Sequence, residues 1–154
     1  MSITFEVARH LPANPERVFE ALTDLGGASA WMPGLVKIEA ADAAPVKVGS
    51  RWRETRRMFG HEATEEFEVT KVEAGRRLGL RVDGTKGSSK RGEYLFDYSL
   101  SPAAGGTDVV LNAQIRGLSG ISAFVGRLFS APYRNACARD LDALSQYLGE
   151  PKGA

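Results

Sequence analysis

Three ionisable residues, Glu54, Arg56 and Glu65, stand where a β-sheet should be building its core. They belong to RWRETRRMFGHEATEEFEV, residues 51–69, which alternates like two strands folded back on each other. The face that carries Trp52, Met58, Ala63, Phe67 and Val69 also carries these three charges. Fully burying such ions costs several kcal/mol each unless they are paired or hydrated. Two arrangements meet that condition. In one, the charges form a closed network that tethers strands, or lie near an exposed end. In the other, they line a hydrated cavity and orient the polar group of an otherwise apolar guest. The same groups could also do chemistry. Glu54 or Glu65 could remove a proton next to a carbonyl while Arg56 and the Tyr98 phenol stabilise the enolate oxygen.

Other chemistries have little to start from. The two histidines, His10 and His61, have neither metal-ligand nor base–nucleophile spacing. The single cysteine, Cys137, excludes an internal disulfide or a multi-cysteine metal site, and in its helical pattern it reads as a small buried apolar residue. No metal and no cofactor are expected. With 20 basic and 19 acidic residues the formal charge is +1, which argues against nucleic acid as a partner. The arginines within 51–57 are answered by Glu62, Glu65, Glu66 and Glu68 on the facing strand, so no one-signed stripe survives. There is no run apolar enough to span a bilayer and no basic-then-apolar signal segment, so the expectation is a cytoplasmic protein.

The elements that must position these residues follow from periodicity. ITFEVAR near the start alternates as a half-buried strand. In LPANPERVFEALTDL, Asn14 can cap a helix and Pro15 suits its first position, with Val18, Phe19, Leu22 and Leu25 at helical spacing. GGASAW permits a second short helix, stopped by Pro33-Gly34. Strands are predicted at 35–41, 50–59, 62–73, 77–83, 92–101 and 107–116, punctuated by turn residues as in an antiparallel meander. A long helix closes the chain, with Phe124, Leu128, Phe129, Tyr133, Ala136, Cys137, Leu141, Leu144 and Leu148 on a roughly 3.6-residue period. Pro132 should kink or divide it. At 154 residues one domain is expected, over 1–149, with 150–154 as a tail.

The hairpin register decides which side chains face each other. A type II′ turn at Gly60-His61 places Phe59 opposite Glu62. The inner pairs are then Trp52–Val69, Glu54–Phe67, Arg56–Glu65 and Met58–Ala63, and the outer pairs include Arg53–Glu68. Tyr94, Phe96, Tyr98 and Leu100 alternate onto the same inner side, as do Leu78, Leu80 and Val82. A buried phenol needs a partner, so Tyr94 and Tyr98 could offer a guest a hydrogen bond.

The order of these elements, with several local patterns, resembles the SRPBCC or START-like superfamily, and within it the polyketide cyclase/dehydrase-type branch. The resemblance is carried by ANPERVFEALTDL, WMPGLVKIE (31–39), VGSRWRETRRMFGHEATEEFEVTKVEAGRRL (48–78), YSLSPAAGGTDV (98–109) and the closing DLDALSQYL, and it spans essentially the whole chain. It implies an α+β helix-grip fold, a curved seven-stranded antiparallel sheet wrapped around a long C-terminal helix with two short helices after the first strand. It also implies a cavity for a hydrophobic or amphipathic small molecule, lipid-like, aromatic or polyketide-like. By resemblance the lining is Trp52, Glu54, Arg56, Met58, Glu65, Phe67, Tyr94, Phe96 and Tyr98 from the sheet, with Phe124, Leu128 and Ala131 from the helix. Trp31 would guard the mouth or anchor the short-helix junction. The family supplies no universal catalytic residue.

Three functions are therefore expected to compete: a carrier or sensor, a cofactor-independent cyclase or dehydratase using a cavity carboxylate as base, and a protein-interaction module. The last would dock through the outer face of RWRETRR or the loop 84–92. A monomer or homodimer suits each of them.

Overall fold

A computed structural model describes residues 2–40, 45–118 and 121–150, with the side chains of 121–129 outside the description. Strand β1 (Ile3–Leu11) leads into helix α1 (Pro15–Thr23). Asn14 caps α1, accepting from the Arg17 N–H at 2.9 Å, and Pro15 opens it. GGASAW forms a short 3₁₀ helix, Leu25–Ala30, whose start is capped by the Asp24 carboxylate. Then follow β2 (Leu35–Ala40), β3 (Arg51–Met58), β4 (His61–Glu73), β5 (Arg77–Asp83), β6 (Glu93–Ala103) and β7 (Gly106–Arg116). Within the described residues, each differs from its predicted range by no more than two residues at either end. Helix α2 (Ile121–Gly149) closes the chain. Residue 41, the predicted end of β2, and 151–154 of the predicted tail lie outside the described residues.

The strands form one seven-stranded antiparallel sheet in the order β1-β7-β6-β5-β4-β3-β2. Chain order is thus a meander, with β1 folded back against β7. Two expectations are corrected. Of the two outcomes expected at Pro132, a kink or a division, the division is excluded, since the last helix runs unbroken for 29 residues. The proline removes one backbone hydrogen bond, and the helix on its C-terminal side stays packed through buried Ala136, Ala138, Leu141 and Leu144.

The β3–β4 register is the second correction. It lies two residues from the prediction, with Met58 opposite His61, Glu54 opposite Glu65 and Trp52 opposite Phe67. The turn is Phe59-Gly60, not Gly60-His61, and both residues have positive φ (52° and 80°). That is the pattern of a type I′ turn, whose twist matches the strands it joins. This register sets Arg51 opposite Glu68, Arg53 opposite Glu66 and Arg57 opposite Glu62 on the outer face. Between them the Thr55 and Thr64 hydroxyls hydrogen-bond at 2.7 Å. A shift of two leaves every side chain on its own face, so the inner and outer assignments are unchanged.

The solid part of the core sits at one end of the sheet. Val7, Leu11, Val109 and Leu111 of β1 and β7 meet Val18 of α1 and Leu141 and Leu144 of α2, all essentially inaccessible. A second cluster, Trp52, Val69 and Leu78, backs β3 to β5. Between the two clusters the sheet and α2 do not close on each other.

Candidate ligand-binding site

The gap is a cavity of about 370 Å³. Its floor is the inner face of β3 to β6, its roof is α2, and one side is the α1–3₁₀ segment with Trp31 and Met32. Trp52 and Phe67, cross-strand neighbours, stack with ring centroids 5.5 Å apart and planes 5° from parallel. Tyr94 stacks on Tyr133 of α2 at 6.0 Å. These rings make flat apolar walls, and Met58, Leu78, Leu80, Val82 and Phe96 fill between them.

The three inner-face charges have three different surroundings. Arg56 reaches across to α2, donating from Nη1 to Asp140 Oδ2 at 2.9 Å and from Nη2 to Oδ1 at 2.7 Å. The same guanidinium donates from Nε and Nη2 to the Pro33 carbonyl at 3.2 and 2.7 Å. Arg56 thus ties β3, α2 and the turn before β2 in one bidentate knot. Burial lowers its pKa, and the hydrogen bonds and charge of Asp140, with Glu54, more than reverse that, so it stays a cation. Glu65 turns to the loop after β5. Its Oε1 accepts from both the N–H and the hydroxyl of Ser89, at 2.8 and 2.6 Å. The Tyr94 hydroxyl donates to Ser89 Oγ at 3.2 Å. Ser88 fastens the same loop to the Thr64 backbone.

Among the described residues Glu54 has no such partner. It is 6% exposed, and Trp52 Nε1 donates to its Oε2 over a long 3.5 Å. The described cation nearest its Oε1 is Arg56 Nη1, 3.8 Å away and beyond hydrogen-bonding reach. Burial raises its pKa above the ordinary glutamate value, and Arg56 offsets only part of that.

Residues 2–149 match the family model described as polyketide cyclase / dehydrase and lipid transport. The chain belongs to that family. Solved structures agree with its helix-grip, SRPBCC-type fold. Ginseng major latex-like protein 151 from Panax ginseng superposes with a TM-score of 0.80 at 8% identity, covering 97% of this chain and 99% of that one. Ara h 8.0201 gives 0.73 at 14% identity, over 96% and 98%. Protein CV1439 from Chromobacterium violaceum gives 0.71 at 16%, over 96% and 99%. No curated protein matches the sequence. At such identities the structures speak for the fold alone.

Within this polyketide cyclase/dehydrase-family fold, the cavity wall brings together Trp31, Trp52, Glu54, Arg56, Met58, Glu65, Phe67, Tyr94, Phe96 and Tyr98. Ala131 is not among them. It is exposed, and two positions before Tyr133 it lies about 200° round the helix at ~100° per residue. The side chains of Phe124 and Leu128 lie outside the described residues. Sequence reasoning missed Asp140, Tyr133, Cys137 and Ser89, all on the wall. Asp140 had a signal, since it follows Tyr133 and Cys137 by seven and three positions and so puts a charge on an apolar helix face. Burial pushes the Cys137 thiol up to about 12 and raises the Tyr98 and Tyr133 phenols, so all three are neutral. His61 borders the cavity, whereas His10 is exposed on β1 beside Asp108. Among the described residues no group of three or more His, Cys, Asp or Glu could hold a metal ion, and no helix is long and apolar enough to cross a membrane.

Proposed function

We propose that this chain binds a small hydrophobic or amphipathic molecule, lipid-like, aromatic or polyketide-like, as a carrier or sensor. The observation that carries the reading is the cavity itself: about 370 Å³, walled by stacked aromatic rings, with a few convergent polar groups. Apolar hollows of that size with sparse polar groups are where small ligands bind. The binding unit is one domain over 1–149, acting as a monomer or homodimer. A cytoplasmic setting is part of the proposal, supported by a lone cysteine with no second thiol to pair with it. Native mass spectrometry and thermal shifts across fatty acids, sterols and polyketides test it. A guest retained by the native protein supports the reading, and no guest from any class removes it.

Glu54 favours a second reading, an enzyme of cyclase or dehydratase type. A buried carboxylate with raised pKa beside a cavity is a candidate base, and the Tyr98 phenol on the same wall is a candidate stabiliser. Arg56 and Glu65 are less available for the roles first considered, because Asp140 with Pro33 and Ser89 engage them. Turnover of a poly-carbonyl model substrate that persists in Glu54→Gln would exclude Glu54 as base. An interaction surface has less support. The outer arginines of β3 are paired with acids of β4, and the loop 84–92 is fastened to Thr64 and Glu65.

A further inference from the structure

The charged groups beside Glu54 on the cavity wall leave a guest little to use. Arg56 offers little. Four hydrogen bonds go to Asp140 and Pro33, and its remaining Nη1 direction lies toward Glu54. Asp140 is taken by the same guanidinium. Glu65 Oε1 is taken by Ser89, and Oε2 is buried against Gly87, where an added Cβ would come within 2.2 Å of it. An incoming carboxylate therefore finds no unengaged arginine or lysine among the described wall residues. It finds instead Glu54, more than nine-tenths buried, with Glu65 directly across the strand pair.

The geometry points to a guest whose polar end is an ammonium group seated against Glu54, with its apolar body lying along the Trp52–Phe67 stack. This inference rests on the cavity being a ligand site and specifies which chemistry it takes. An ammonium supplies three donors and the opposite charge, which a buried carboxylate without a close partner requires. A hydroxyl head would satisfy one acceptor lone pair and leave the charge offset only in part, by Arg56 at 3.8 Å. A carboxylate head would place like charges together in a low-dielectric space. The Tyr98 phenol can donate or accept and so does not discriminate among the three.

A matched series separates these cases. Naphthylmethylamine, naphthylmethanol and naphthoate share one flat body of a size the cavity admits, and differ in the head. Isothermal titration calorimetry on the full chain should find the amine bound about tenfold or more tighter than the carboxylate, with the alcohol between, the range a charge-assisted hydrogen bond provides. In Glu54→Gln the amine should fall to the affinity of the alcohol, while the alcohol changes by less than about threefold. Glu54→Asp keeps the charge and should keep the preference for the amine. Naphthoate binding as tightly as the amine, or a ranking unchanged in Glu54→Gln, overturns the assignment and leaves the cavity reading standing. No binding by any of the three also overturns the assignment, and the cavity reading is then decided by the guest screen on the native protein.

Discussion

Removing Asp140 should cost more than removing any exposed ion pair, because it strands a buried guanidinium. The Arg56 and Asp140 side chains are 15% and 23% exposed and share two hydrogen bonds, at 2.7 and 2.9 Å. Breaking such a pair from one side typically costs ~3–5 kcal/mol. Arg56 keeps its two bonds to the Pro33 carbonyl and can swing toward Glu54, so Asp140→Ala should fall near the low end, about 3 kcal/mol. For a chain of this length that is a melting-temperature loss of roughly 6–12 °C. Arg56→Met should cost about 2 kcal/mol, since the more exposed Asp140 can rehydrate. The double variant should cost about 3 kcal/mol, well short of the sum, a coupling of about 2 kcal/mol. Urea denaturation with matched m-values measures all four proteins. If the two single losses add to within about 0.5 kcal/mol of the double, the knot joining β3, α2 and the Pro33 turn is not an energetic unit. The same Asp140→Ala protein should also lose preference for the amine, because the freed guanidinium would neutralise Glu54.

Two further outcomes can be checked on the unliganded protein. Below the ordinary glutamate value of 4.5, Glu54 is protonated whether the chain is folded or not, and its burial carries no ionic penalty. As pH rises above that value the unfolded chain ionises freely while burial resists ionisation in the fold, so stability falls. Glu54→Gln should therefore melt higher than the parent at neutral pH, with the gain vanishing in acid; a lower melting temperature at neutral pH contradicts the assignment. Phe59, 56% exposed, sits at φ 52° in a turn whose geometry favours Asn before Gly. Phe59→Asn should stabilise by about 1 kcal/mol in thermal melts, and no gain would show that the left-handed backbone carries no strain there.

The element order was legible because each segment announces its period and its ends. Asn14 and Pro15 open a helix, and turn residues such as Gly75 and Gly105 separate alternating runs. The inner face of the hairpin was legible for a sturdier reason. Side chains repeat every two residues, so even a register wrong by two kept Trp52, Glu54, Arg56, Glu65 and Phe67 on one side. What failed was whatever depended on rotation or distance. Ala131 fell on the wrong side because it was placed by resemblance and lies off the helix's own apolar stripe, whose Tyr133, Ala136, Cys137 and Leu141 do face the cavity. The Arg56–Asp140 bridge joins residues 84 apart, and no local pattern announces such a pair. The turn was misplaced because a non-glycine residue, Phe59, takes a positive φ that a sequence reading assigns to glycine first.

The charges of this sheet also set Glu54 apart, as a buried carboxylate held only by long contacts. On the outer face Arg51, Arg53 and Arg57 each have a facing glutamate, and Glu93 bridges Arg81 and Arg116. On the inner face Arg56 and Glu65 Oε1 find close partners from elements distant in sequence, while Glu65 Oε2 is buried against Gly87 without one. Donors are available around Glu54 as well, since His61, Ser89 and Tyr98 border the same space, yet none is bound to it. A leucine or glutamine there would keep the wall apolar or neutral and spare the desolvation of a carboxylate. Local inconsistency of this kind is the feature on which the proposed ammonium site rests. The stability that Glu54 costs and the affinity it would confer should then be two readings of one quantity, so of the two substitutions at this position Glu54→Gln should melt higher and lose the preference for the amine, while Glu54→Asp keeps the preference.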